Sequence, residues 1–145
     1  MVATLLENAP YIDLPYHFLG WLGWFALAAA IYFGIRKKLM MVRSKKFWTI
    51  FGILLVLAIL FQWLLGIKIP WQNTLPLPNT TRDLTSPVIM IFGAVPWILA
   101  AGMLGYWPAV AVGFVSGLVS AFWNTHSLFT PLETALLALM VSSAL

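Results

Sequence analysis

The chain has 145 residues, of which 62% are hydrophobic and only 8% are charged, with eight basic and four acidic side chains. Soluble domains carry about one-quarter charged residues, so this composition excludes an ordinary soluble protein and predicts an all-α integral membrane bundle. Cysteine is absent, which excludes disulfides, thiolate metal sites and cysteine nucleophiles.

The N-terminal part is predicted to begin outside the cytoplasm. Residues 1–15 contain Glu7 and Asp13 and lack a basic leader region, so they form an extracytoplasmic segment and not a signal peptide. Residues 16–68 are predicted to form a two-helix membrane hairpin, with spans over about 18–35 and 47–67.

The loop 36–46 between these spans sets the topology. It carries six of the eight basic residues, namely Arg36, Lys37, Lys38, Arg43, Lys45 and Lys46. Short basic loops stay in the cytoplasm, which places the N-terminus outside. The charge therefore indicates membrane orientation and not a nucleic-acid-binding surface.

The second half is predicted to hold three further spans. Residues 69–86 are polar and rich in proline, which favours an extracytoplasmic loop. Residues 87–145 follow as a three-helix membrane unit. Its first helix begins at Pro87, because proline is favoured in the first turn, and is expected to kink at Pro96 in its middle.

The remaining spans bring the predicted total to about five transmembrane helices. The fourth runs from about Pro108 to Trp123, residues 124–130 form a second outer loop, and the fifth begins at Pro131. The sequence is still apolar at Leu145. We therefore expect the chain to be the front of a longer protein that continues into the cytoplasm.

The fourth span carries small residues at a spacing of four, namely Ala109, Gly113 and Gly117, with Ser116 and Ser120 beside them. Small residues at this spacing let membrane helices approach closely. Packing inside the chain is the preferred interpretation, and a homodimer face is the alternative. In the second span, Gln62 is expected to hydrogen-bond to a neighbouring helix.

Polar residues that are candidates for ligand binding gather at the outer loops. Glu133 is the only acidic residue inside a predicted span. A capping box with Thr130 as N-cap is the preferred explanation for it, and a ligand or proton site is the alternative. His126 can bind a polar ligand or act as an ordinary loop residue. The candidate ligand-binding set is Asn124, Thr125, His126 and Glu133, with Arg82 and Asp83 from the proline-rich loop.

Enzymatic chemistry is not indicated by this sequence. It contains no nucleophile–base pair, no paired carboxylates within a span and no glycine-rich phosphate loop. The two histidines and Glu133 have no metal-site spacing. We therefore predict no catalytic residue, no metal and no cofactor.

Residues 87–145 resemble a known type of module. The turn Gly105-Tyr106-Trp107-Pro108 leads into a glycine-rich helix, a short outer loop follows, and the next helix begins at Pro131. This arrangement resembles the N-terminal membrane sensor modules of bacterial signalling proteins, of the MASE1-like and LytS-type five-helix kind. The resemblance implies a sensory input role in the bacterial cytoplasmic membrane, with a cytoplasmic kinase or cyclase domain as the output.

Two other functions stay open at this stage. The chain could be the substrate-binding subunit of a vitamin-type transporter, since similar helical hairpins occur there, or a structural subunit of a membrane complex. The lipid bilayer is the expected partner in each case, with a second copy or a membrane subunit as a further one.

Overall fold

The computed structural model describes residues 12–36, 44–64, 67–68, 88–89 and 91–145 of the chain. Five α-helices account for most of them: α1 is Phe18–Arg36, α2 is Lys45–Leu64, α3 is Val95–Met103, α4 is Tyr106–Ser120 and α5 is Thr130–Ala144. Strands β1 (Ile67–Lys68) and β2 (Val88–Ile89) form one short antiparallel pair. A single 3₁₀ turn, Ile91–Ala94, precedes α3, and a π-helical turn, Ala121–Thr125, follows α4.

The helices differ in whether they are long enough to cross a bilayer. In the described part of the chain, α1 and α2 are the two helices that are long and apolar enough. Helices α4 and α5 have 15 residues each, or about 22 Å at 1.5 Å per residue, against a hydrocarbon core of about 30 Å. The predicted helical class is confirmed, with these two candidate spans.

The start of the third predicted span is wrong in the sequence analysis. Val88 and Ile89 are extended and pair with Lys68 and Ile67, so the helical region begins at Ile91 and not at Pro87. Pro96 lies in the first turn of α3 and not in the middle of a helix. Its missing N–H costs nothing there, so Pro96 belongs to the start of α3 and not to the kink that we expected.

Helices α4 and α5 form the centre of the bundle. Helix α1 packs against α5, whereas α2 and α3 pack mainly against α4. One buried cluster joins α2, α3, α4 and α5 around Ala58, Ala100 and Val112. A second joins α1, α4 and α5 around Ile31 and Ala135. The two helices predicted as a separate hairpin are thus each packed on the three-helix unit.

The turn between α3 and α4 depends on one glycine. Gly105 has φ +89° and ψ −165°, a backbone conformation that is open almost only to glycine. Its N–H donates to the carbonyl of Ala100, and its own carbonyl accepts the N–H of Ala109. The chain therefore reverses between the two helices with both backbone groups hydrogen-bonded.

Five of the six described charged residues define two ends of the bundle, and the sixth, Lys68, lies in β1 beyond the last residue of α2. Arg36 ends α1, and Lys45 and Lys46 begin α2; we call this the basic end. Asp13 lies beside the loop before α5, and Glu133 lies in the first turn of α5; we call this the acidic end. Lys37, Lys38, Arg43, Arg82 and Asp83 lie outside the described residues.

Candidate functional site

The acidic end is built around the short connection between α4 and α5. Helix α4 continues beyond Ser120 as the π-helical turn, so the connection is shorter than the predicted loop 124–130. His126 ends this turn in the left-handed conformation, with φ 52° and ψ 20°. Non-glycine residues seldom adopt this conformation, and here it redirects the chain toward α5.

The N-terminal segment is hydrogen-bonded to this connection. The Asp13 N–H donates to the His126 carbonyl at 2.7 Å, and Asp13 and Ser127 form a single parallel β-bridge. The two regions that the sequence places on the outer face are therefore in contact. The backbone makes this contact, so the side-chain pattern gives no sign of it.

Helix α1 contacts the same connection at Leu128, the residue after Ser127. The Trp24 indole Nε1–H donates to the Leu128 carbonyl at 3.2 Å. A partly buried carbonyl in an apolar setting needs such a donor, because leaving it unpaired costs about 1–3 kcal/mol. Residues 126–128 are thus hydrogen-bonded by two separate parts of the chain.

The predicted capping box of α5 is not formed. Phe129 precedes the helix, and no side chain caps the helix through a hydrogen bond. The Ser127 hydroxyl accepts the Phe129 N–H at 3.2 Å, while the Thr130 hydroxyl lies 2.7 Å from that of Thr125. Since Thr130 is already helical and bonded to Thr125, it is not the N-cap, and the Glu133 side chain is exposed.

The candidate ligand-binding residues are only partly brought together. Thr125 ends the π-helical turn and His126 follows it in the connection, whereas Glu133 lies in the first turn of α5. Asn124 has its backbone in the π-helical turn, and Arg82 and Asp83 lie outside the described residues. Among the described residues, no three His, Asp or Glu side chains gather where a metal ion could be held.

A buried polar network lies deeper in the bundle, near the acidic end. Gln62 of α2 donates from Nε2 to the Ser116 hydroxyl of α4 at 2.8 Å. Ser116 in turn donates to the Gly93 carbonyl in the 3₁₀ turn at 3.1 Å. These bonds join α2, α4 and the start of α3. The expected bond from Gln62 to a neighbouring helix is confirmed, although the sequence does not identify its partner.

The sequence contains a weak signal for this network. Gln62 is the one strongly polar side chain of its predicted span, and Ser116 lies beside the small residues of α4. Gly93 leaves room for the carboxamide, because a Cβ there would collide with Gln62 Nε2. Gln62 is 5% exposed, yet its Oε1 atom has no hydrogen-bond partner among the residues that the structure describes.

The small-residue stripe of α4 packs against α5. A Cβ at Gly113 would lie 2.9 Å from the Ala138 Cβ, and one at Gly117 would lie 2.7 Å from the Pro131 Cα. Ala109 and Ser120 are buried as well. In the structure these residues therefore lie in the interface between α4 and α5, where the preferred interpretation places them, and α5 covers both glycines.

Thr134 is the residue of this interface that the sequence analysis missed. Its hydroxyl lies 2.9 Å from the Gly113 carbonyl across the interface and 2.9 Å from the Thr130 carbonyl in its own helix. A threonine four residues after Thr130 gives no signal of its own, because threonine bonds back to its own helix in many proteins.

Comparison with other proteins finds no relative. No family model matches the chain, and no match is found among curated proteins or among solved structures. The resemblance to bacterial sensor modules stays a prediction, and any function must be argued from the residues described above.

Proposed function

We propose that this chain is a sensory input module of the bacterial cytoplasmic membrane, which passes a stimulus from the outer face to a cytoplasmic output domain. One observation carries the proposal. Residues 126–128 are hydrogen-bonded to the N-terminal segment and to α1, and they lead directly into α5. A change at the acidic end can therefore act on a helix that extends to the basic end.

Membrane embedding is supported by the surface of the two long helices. Only 6% of the apolar segment of α1 and 17% of that of α2 is buried inside the protein. Phe18, Leu22, Phe25 and Phe33 are all more than half exposed. A water-soluble protein seldom exposes such a continuous apolar surface, whereas lipid solvates it.

The orientation is supported by the charges. Arg36, Lys45 and Lys46 share one end of the bundle, and basic residues beside membrane helices remain in the cytoplasm. The proposal therefore assigns the basic end to the cytoplasm and the acidic end to the outside. Cysteine substitutions at Ser44 and Thr125, in a chain without native cysteine, would test this with a membrane-impermeant thiol reagent.

The route for a signal is supported by the packing of α5. This helix contacts α4 along Gly113 and Gly117 with almost no free space, so it can shift only into another discrete packing. A stimulus favours one packing by its difference in affinity for the two. His126, Thr125 and Glu133 are the residues we assign to the stimulus site.

Distance measurements between α2 and α5 test the coupling. The cysteine-free chain allows a nitroxide pair at Thr49 and Ser143, two exposed positions near the basic end. In nanodiscs, Trp24→Phe removes the donor to Leu128 and should change the Thr49–Ser143 distance distribution by electron paramagnetic resonance. Trp21→Phe, on the same helix, is the matched control and should leave it unchanged.

An unchanged distribution in Trp24→Phe and also in His126→Ala would contradict sensory coupling. Circular dichroism of each variant separates this result from a loss of folding. A rigid bundle of that kind would leave a structural subunit as the better interpretation.

A transporter subunit is the alternative that one observation favours. Within the described part of the chain, Gln62 Oε1 is buried without a hydrogen-bond partner, and a ligand that carries an N–H or O–H could donate to it. In a substrate-binding subunit, Gln62→Leu should abolish uptake of the substrate. In a sensor, the same change should affect the stability of the bundle and leave uptake unaffected.

A further inference from the structure

We infer that the basic end is a binding surface for the headgroups of anionic phospholipids. The surface consists of Lys45 and Lys46 together with the neighbouring aromatic cluster of Phe47, Trp48, Phe51 and Trp107. This inference rests on the membrane embedding proposed above but not on the sensory role.

The two lysines lie at the N-terminus of α2, where the helix dipole disfavours positive charge. Lys45 and Lys46 are the first residues of α2, and its first turn contains no acidic residue. The Ser44 hydroxyl accepts the Phe47 N–H at 3.1 Å and so completes the helix start. The N-terminus of a helix carries a partial positive charge, so both ammonium groups add to a field of the same sign.

The described acidic residues cannot neutralise this charge. Asp13 and Glu133 both lie at the opposite end of the bundle, beside the connection between α4 and α5. Both lysines are exposed, so an external anion can approach them. Arg36, the last residue of α1, lies at the same end of the bundle, which strengthens the attraction.

The aromatic cluster indicates that this anion belongs to a membrane. Trp107, at the start of α4, contacts three rings of α2, with centroid distances of 5.7 Å to Phe47, 6.1 Å to Trp48 and 5.3 Å to Phe51. Trp48 is 47% exposed. Tryptophan is enriched at the level of the headgroups, where its ring contacts acyl chains and its N–H faces polar groups.

The combination therefore matches a lipid and not a free anion. The lysines provide charge for a phosphate, and the adjoining rings provide an apolar surface for the chains attached to it. Clusters of basic residues directly beside a membrane helix attract anionic lipids, and each lysine near the surface raises the affinity about fivefold.

Native mass spectrometry of the full chain tests this surface. The protein is released from nanodiscs that contain a neutral phosphatidylcholine and an anionic phosphatidylglycerol in equal amounts, and the retained lipids are counted. The wild type should retain the anionic lipid preferentially. The variant K45Q/K46Q should lose most of this preference, and so should the wild type at high salt, because salt screens exposed charges.

Lys68→Gln is the matched control. It removes one positive charge beyond the far end of α2 and should leave the lipid preference as in the wild type. Equal retention of the two lipids by the wild type would overturn the inference, as would an undiminished preference in K45Q/K46Q. Binding of soluble oligoglutamate without a lipid preference would assign the surface to an acidic protein and would overturn it as well.

Extraction with alkaline carbonate keeps the two proposals distinguishable. A wild-type chain that is released from membranes by carbonate would contradict the membrane embedding itself. A chain that resists extraction but retains both lipids equally would contradict only the lipid-binding surface.

Discussion

Helix α5 makes two interfaces that differ in almost every physical respect. Toward α4 it meets small residues, and the backbones approach so closely that Gly113 and Gly117 leave no room for a methyl group. Toward α1 it meets bulky side chains such as Trp24, and Ile31, with 7% of its surface exposed, is the one buried residue of α1. The first interface is a backbone contact, and the second is a side-chain contact.

The difference shows how a chain with few polar residues can still specify one packing. In the membrane that we propose for this chain, lipid provides no hydrophobic drive for helix association, so close approach and hydrogen bonds provide it instead. The α4–α5 interface has both, since the Thr134 hydroxyl reaches the Gly113 carbonyl. The α1–α5 interface depends on fewer contacts, so α1 is the helix we expect to move more easily.

Gly117→Ala should be the most damaging of four substitutions that probe this comparison. Its methyl group would lie 2.7 Å from the Pro131 Cα and the Thr130 carbonyl oxygen, both backbone atoms that cannot rotate away. Overpacking of this kind costs about 1–3 kcal/mol. Reversible unfolding in mixed micelles measures it, and an unchanged free energy of unfolding would contradict the close α4–α5 contact.

Ser116→Ala should have the second-largest effect, about 1–2 kcal/mol, because it leaves the Gln62 amide and the Gly93 carbonyl without their shared partner. Ser142→Ala is the matched control, since Ser142 is buried but donates only to Ala138 in its own helix. The same unfolding assay applies. Equal effects of the two serine substitutions would show that the Gln62 bond contributes nothing between helices.

Gly34→Ala tests the contact of α1 with α5 and should cost well under 1 kcal/mol. The new methyl group would lie 2.5 Å from Leu139 Cδ2, the far end of a flexible side chain that can change rotamer. The higher helix propensity of alanine offsets part of the cost. A loss as large as that of Gly117→Ala would mean that the two interfaces are equally rigid.

Gly52→Ala should be neutral or stabilising, by up to about 1 kcal/mol, because alanine favours a helix over glycine. Apart from its two chain neighbours and the nearby backbone of α2 itself, no atom of the described residues lies within 4 Å of a Cβ at this position. Thermal unfolding in the same detergent compares the variant with the wild type. A marked loss of stability would point to a contact on this face with another molecule.

The positions of the helices follow from the sequence because hydrophobic length and charge are local properties. Helix α1 begins at Phe18 as expected, and α2 begins within two residues of the expected start. The errors fall where two local rules compete. Proline is favoured at a helix start, so both Pro87 and Pro96 are candidates for the first turn. Only the pairing of Val88 with Lys68 shows that the first turn of α3 contains Pro96.

The contacts within the candidate site follow from the sequence less completely than the positions of the helices do. The sequence indicates that His126 and Glu133 lie near one another, because only six residues separate them. It could not indicate that Asp13 and Trp24 hydrogen-bond to the same connection, since both bonds use carbonyl acceptors that every residue possesses. The predicted capping box does not form, because the Thr130 hydroxyl is hydrogen-bonded to the Thr125 hydroxyl instead. No local pattern in the sequence indicates this bond.

The sequence by itself determined the helical class, the scarcity of charge and the clustering of six basic residues in one loop. These properties depend only on residues that are neighbours in the sequence. The preference of each segment for water or for an apolar solvent follows directly from them. The tertiary structure alone decided which helices meet: that α5 covers the glycines of α4, that Ser116 is the partner of Gln62, and that the N-terminal segment reaches His126. Such contacts join residues far apart in the chain, so they depend on shape and on available hydrogen-bond partners, which no local pattern records.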